Sequence, residues 1–121
     1  MRLRQLGLVV AGGVVGAALR HLAAQNPSDI PWEVLAINLI GAAVAGWLVG
    51  RIRLHSHPAR WLIPFAVVGA AGALTTFSGL VVDTLLLADA GRWAAAGIYS
   101  AASVVSGPIV AGVGLWLGGR S

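Results

Sequence analysis

The sequence predicts an all-α membrane protein of four transmembrane helices, with the third helix broken midway. Three observations carry this. Of 121 residues, 58% are apolar and only 10% charged, whereas soluble domains carry roughly 25% charge. Four uncharged runs, Gln5–Leu19, Val34–Gly50, Trp61–Val82 and Trp93–Gly119, each approach or exceed the roughly 20 residues that cross a bilayer core of about 30 Å. Within the third run, three hydroxyl residues crowd behind two glycines, a poor composition for an uninterrupted helix in lipid. The whole chain, 1–121, is read as a single transmembrane domain with short connections. No room remains for a soluble catalytic or nucleic-acid-reading domain.

The first helix spans about 6–24. Arg2 and Arg4 before an apolar stretch loosely resemble a secretory signal, but Arg20 and His21 precede any plausible cleavage point. The segment is therefore read as a span, ended by Asn26-Pro27. The second helix spans about 32–50, opened by Trp32 and Glu33. A basic connection follows, with Arg51, Arg53, His55, His57, Pro58 and Arg60. The third spans about 61–88, with the sequence Gly69-Ala-Ala-Gly72-Ala-Leu-Thr75-Thr76-Phe77-Ser78-Gly79 at its middle. A turn at Asp89–Arg92 leads to the fourth, about 93–119. Trp32, Trp61, Trp93 and Trp116 fall near helix ends and Trp47 one turn inside, where amphipathic rings meet the headgroups. Small residues four apart (Gly12/Gly16, Gly46/Gly50, Ser103/Gly107, Gly114/Gly118) read as close helix contacts.

Eight arginines and no lysine give a formal charge of +4. With four spans, Arg2, Arg4, Arg51, Arg53, Arg60 and Arg120 share one side; Arg92 lies opposite, with Arg20 near it. The bias places both termini in the cytoplasm. There is no cysteine, so neither disulfides nor thiolate metal sites arise. His55-x-His57 lacks a third ligand and reads as a solvated loop. No nucleophile–base pair or carboxylate dyad is present, and no enzymatic activity is expected.

Asn38, Thr75, Thr76, Ser78, Asp83 and Arg20 are polar groups that stable spans do not need, and such groups mark pathways. A broken third helix would free carbonyls, which suit a hard cation such as sodium, or amides, which suit an anion. Phe77 sits among them, and an aromatic edge is electropositive. An isolated hydroxyl would simply bond its own preceding turn, and Asn38 alone could bridge two helices.

Four stretches together resemble the small fluoride channels of the CrcB, or Fluc, family. They are Gly12-Gly13-x-x-Gly16-Ala17-x-x-Arg20, Asn38-x-x-Gly41, Gly72-x-x-Thr75-Thr76-Phe77-Ser78 and Tyr99-x-x-x-Ser103, in order on four helices. The resemblance implies an antiparallel, dual-topology type dimer in the plasma membrane. It implies two narrow pores along the subunit interface and a structural sodium ion held by backbone carbonyls of Gly72 and Thr75. Asn38 would donate to fluoride, Phe77 would present its ring edge, and Thr76, Ser78, Tyr99 and Ser103 would line the pathway. Arg20 would lie at its entrance. The implied function is passive export of cytoplasmic fluoride, which lowers its toxicity.

Two departures stand out. Gly79 and Leu80 follow Ser78 where the family usually has Thr and a second Phe, and Ala42-Ala43 replaces Ser-Phe after Gly41. With the arginine bias, they suggest a fixed-orientation subunit paired with an oppositely oriented paralogue. A dual-topology homodimer is the alternative, and a non-conducting or partner-dependent subunit of a heterodimeric channel a further one. A small multidrug-type transporter would need a carboxylate in the first helix, which has none.

Overall fold

The computed structural model describes residues 2–25, 28–55 and 60–120. The expected stop at Asn26-Pro27 and His57 lie outside the described residues. Among these residues the chain is all helical, with no strand. Four helical stretches are long and apolar enough to cross a membrane: Leu3–Ala23, Trp32–Leu54, Ile63–Asp89 and Trp93–Gly118.

The first helix starts one turn earlier than expected because the Gln5 carboxamide turns back to accept the Arg2 N–H at 3.1 Å. The second continues past Gly50 to Leu54. Its last turn stays helical beside the fourth helix, and His55 Nδ1 lies 2.9 Å from the Arg51 carbonyl. The third span has three parts. Ile63–Ala71 is wound wide, as a π-helix, a rare winding that the sequence did not announce. Gly72–Leu74 is a single α-helical turn, and Phe77–Asp89 is again α-helix. Between the last two, Thr75 (φ −88°, ψ 134°) and Thr76 (φ −142°, ψ 124°) are extended. Gly91, at φ 74°, makes the turn into the fourth helix. There the Arg92 guanidinium donates to the Asp29 carbonyl at 2.6 Å, tying this turn to the loop between the first two helices.

The helices pair by alternation, first with third and second with fourth, and glycine is the reason. A Cβ on Gly12 would overlap the Phe65 carbonyl, and one on Gly16 the Ala70 carbonyl. One on Gly69 would come 2.6 Å from the Val9 carbonyl. Likewise Gly46 rests on Ala111, Gly50 on Leu115 and Gly119, Gly114 on Ala43, and Gly118 on Trp47. In this second contact residue numbers rise together along both helices, so the two run parallel. Backbones this close gain dispersion contacts that larger side chains would forbid. The Ser103/Gly107 pair behaves differently: a Cβ on Gly107 would meet nothing within 4 Å.

Among the described residues only a small core is buried. Leu80, Leu87, Ala96 and Tyr99 cluster where the end of the third span meets the start of the fourth, joined by Ile30 and Leu35. Most large apolar side chains point outward, including Val10, Val14, Leu85, Leu86, Val105 and Ile109. In water this surface would be untenable; in lipid it is the expected exterior.

Candidate functional site at the Thr75–Thr76 step

In an uninterrupted α-helix, the Thr76 N–H would bond the Gly72 carbonyl and the Gly79 N–H the Thr75 carbonyl. Both donors are diverted here. Thr76 N–H donates to Asn38 Oδ1 at 3.1 Å, reaching across to the second helix. Gly79 N–H donates to Thr76 Oγ1 at 3.2 Å, so Thr76 caps the helix that starts at Phe77. The carbonyls of Gly72 and Thr75 thereby lose their helical partners. Uncharged main-chain oxygens of this kind are the donor set that a hard cation accepts, so the two residues fit the sodium role implied by resemblance.

The bond to Thr76 also fixes how Asn38 is turned. Its oxygen must face the Thr76 N–H, which leaves the two amide hydrogens to point elsewhere. Thr76 Oγ1 and Ser78 Oγ lie 2.9 Å apart, and Thr75 Oγ1 donates to the Ala71 carbonyl at 2.9 Å. Gly41 makes room for the step: a Cβ there would come 2.6 Å from Thr75 Cγ2.

Two hollows flank the step, and Thr76 lines both. The larger, about 560 Å³, includes Asn38, Gly72, Thr75, Phe77 and Ser103 in its walls. The smaller, about 380 Å³, includes Arg20, His21, Ser78 and Asp83. Phe77 is 74% exposed, a ring held out at the rim of the larger hollow. Ser103 faces that hollow while its hydroxyl bonds the Tyr99 carbonyl of its own helix at 2.8 Å.

The site residues named from sequence thus gather around one step, in two sets separated by Thr76. Tyr99 stands apart. It is wholly buried, its hydroxyl donates to Asp83 Oδ2 at 3.1 Å, and its ring meets Trp32 edge-on at 6.4 Å. Leu80, at 8% exposure, packs against this same core as well as closing the larger hollow. Two further wall residues escaped the sequence reading. Pro108 has no N–H, so the Val104 carbonyl is left without its helical donor, and both line the larger hollow beside Gly107. A proline inside an apolar run was the available signal.

The family model described as CrcB-like protein, Camphor Resistance (CrcB), matches residues 7–115. The chain belongs to the CrcB family. It is a multi-pass membrane protein. Among its curated relatives, the fluoride-specific ion channel FluC of Xanthomonas euvesicatoria pv. vesicatoria is 37% identical, over 97% of this chain and 95% of that one. FluC 2 of Symbiobacterium thermophilum is 45% identical, over 70% and 73%. FluC 1 of Mycobacterium tuberculosis is 34% identical, over 86% and 82%. The Thr75–Thr76 step and both hollows lie within the CrcB match.

Proposed function

We infer that this chain is a subunit of a fluoride-selective channel that lets cytoplasmic fluoride leave passively across the plasma membrane. Membership of the CrcB family and the names of its relatives support the ion. The observation that carries the mechanism is the diverted Thr76 N–H, which turns the Asn38 amide hydrogens away from the backbone. Fluoride is small and strongly hydrated, so only close donors can replace its water. The Asn38 amide, the one hydroxyl hydrogen that the Thr76–Ser78 bond leaves free and the electropositive edge of Phe77 supply such donors along one path. Ser103 lines the wall, Arg20 draws the anion into the smaller hollow, and buried Tyr99 holds Asp83 and the helix start in place.

On this reading the third helix is broken within the bilayer, and two subunits pack antiparallel so that each exposed Phe77 meets the other subunit. A structural sodium ion is held by the Gly72 and Thr75 carbonyls, where its charge satisfies oxygens that lipid cannot. The partner is a second copy or an oppositely oriented paralogue.

Fluoride efflux from liposomes, followed with an electrode and with chloride as control, tests this. Rapid fluoride but not chloride efflux from the chain alone supports the channel and makes the homodimer sufficient. Efflux appearing only with the paralogue co-expressed supports the channel and makes the pair heteromeric. No efflux from folded protein in either form overturns the reading.

A further inference from the structure

The second and fourth helices end together, and their outer face carries a feature the Thr75–Thr76 step does not use. Ala43, Val44, Trp47, Val110, Val113 and Leu117 enclose an apolar hollow of about 350 Å³. It lies on the opposite side of the helix pair from the larger hollow, to which the same helices contribute Ala42, Ala45, Val104 and Ala111. Its floor is closed by backbone contact, Gly114 on the Ala43 carbonyl and Gly118 on the Trp47 carbonyl. From Val110 to Leu117 is two helical turns, roughly 10 Å, so the hollow runs well into one leaflet of a core about 30 Å thick.

Two arginines follow at the ends of the same two helices, Arg51 four residues past Trp47 and Arg120 three past Leu117. The Arg51 guanidinium lies 5.6 Å from the centre of the Trp47 ring, a wall of the hollow. Arg120 lies 3.5 Å from the centre of Trp116. The backbones that carry them meet at the helix ends, since a Cβ on Gly118 would come 3.1 Å from the Arg51 main-chain nitrogen and one on Gly50 2.8 Å from that of Gly119. A guanidinium stacked on an indole keeps its in-plane N–H groups free, in the fork that matches phosphate oxygens.

We propose that this face binds an anionic phospholipid, with an acyl chain in the hollow and the headgroup phosphate on Arg51 and Arg120. Charge decides the headgroup. Two fixed cations favour a net-negative phosphate, and a zwitterionic headgroup would bring its own cation against them. The proposal stands independently of which ion the channel passes.

Native mass spectrometry of the purified protein, titrated with phosphatidylglycerol or phosphatidylcholine of identical acyl chains, tests it. Phosphatidylglycerol is expected to be retained at least tenfold more tightly. At about fivefold per arginine, Arg51→Gln with Arg120→Gln weakens phosphatidylglycerol about 30-fold and leaves phosphatidylcholine unchanged. Arg51→Lys with Arg120→Lys keeps most of the preference, and Val113→Phe, which fills the hollow, weakens both lipids. If the glutamine pair yields no monodisperse protein, the lysine pair and Val113→Phe carry the test alone. Equal retention of the two lipids overturns the proposal. So does an equal loss on Arg2→Gln with Arg4→Gln, which would mean a diffuse positive surface. A Val113→Phe variant that changes the dimer fraction but not lipid retention overturns it in favour of a second copy.

Discussion

The proposed channel gives Asn38 two jobs in one side chain, and two substitutions separate them. Its Oδ1 accepts the Thr76 N–H at 3.1 Å in a part-buried position, and its amide hydrogens face away from that bond. Asn38→Ala removes both. The Thr76 N–H is then a buried donor without a partner, a loss of about 1–3 kcal/mol, and thermal unfolding in detergent should fall accordingly. Asn38→Asp keeps an acceptor for Thr76 but removes the donors. A hydrogen bond to a charged group is worth about 1.5–3 kcal/mol, so efflux should drop about 10- to 150-fold. Any carboxylate repulsion adds to that drop. The assay is electrode-recorded efflux from liposomes, normalised to folded protein. An Asp variant that conducts like the wild type would show that the amide does not meet the ion. An Ala variant that unfolds at the wild-type temperature would show that the Thr76 bond does not hold the step.

Three other outcomes follow from the same geometry. Gly114→Val drives a side chain into the Ala43 carbonyl and should abolish folded protein, whereas Gly107→Ala meets nothing within 4 Å. The latter should keep or raise stability by up to about 1 kcal/mol while narrowing the larger hollow and slowing efflux, read by unfolding and flux side by side. Tyr99→Phe loses the bond to Asp83 and should cost about 0.5–1.5 kcal/mol in unfolding, with flux per folded molecule kept within a few-fold because Tyr99 lines neither hollow. Leu80→Phe adds bulk beside Leu87, Ala96 and Tyr99 and should destabilise by about 1–3 kcal/mol, measured the same way.

What could be read from the chain alone was whatever depends on neighbours in sequence. Hydropathy gave four helices and the flanking arginines their orientation, and the run Thr75-Thr76-Phe77-Ser78 marked a place where helical bonding would fail. What stayed hidden depends on partners far along the chain. The spacing of Gly12 and Gly16 says that something approaches closely, but not that it is Phe65 and Ala70. Gly46 and Gly50 are equally silent about Ala111 and Leu115. Ser103 and Gly107 share that spacing, yet a Cβ on Gly107 would meet nothing within 4 Å among the described residues, and Gly107 lines a hollow. Tyr99 resembled a pathway residue because its position in the motif is fixed; its complete burial depends on Trp32 and Leu80, from two other helices. From sequence Asn38 reads as a donor; the bond its oxygen accepts required the Thr76 amide, 38 residues away, to be placed.

The alternating pairing of the helices also bears on synthesis. A growing chain that enters the membrane span by span cannot settle its first two helices against each other, because each has its glycine face matched to a later span. The Gly12–Gly16 stripe waits for Ile63–Ala71, and the Gly46–Gly50 stripe waits until Gly114 and Gly118, near the very end, have left the ribosome. The first pairing can therefore form only when the third span enters and the second only when the fourth does, and a nascent chain stalled after two spans presents two unmatched stripes to the bilayer. Truncation before Gly114 would remove the contacts that Ala43 and Trp47 of the second helix make with the end of the fourth.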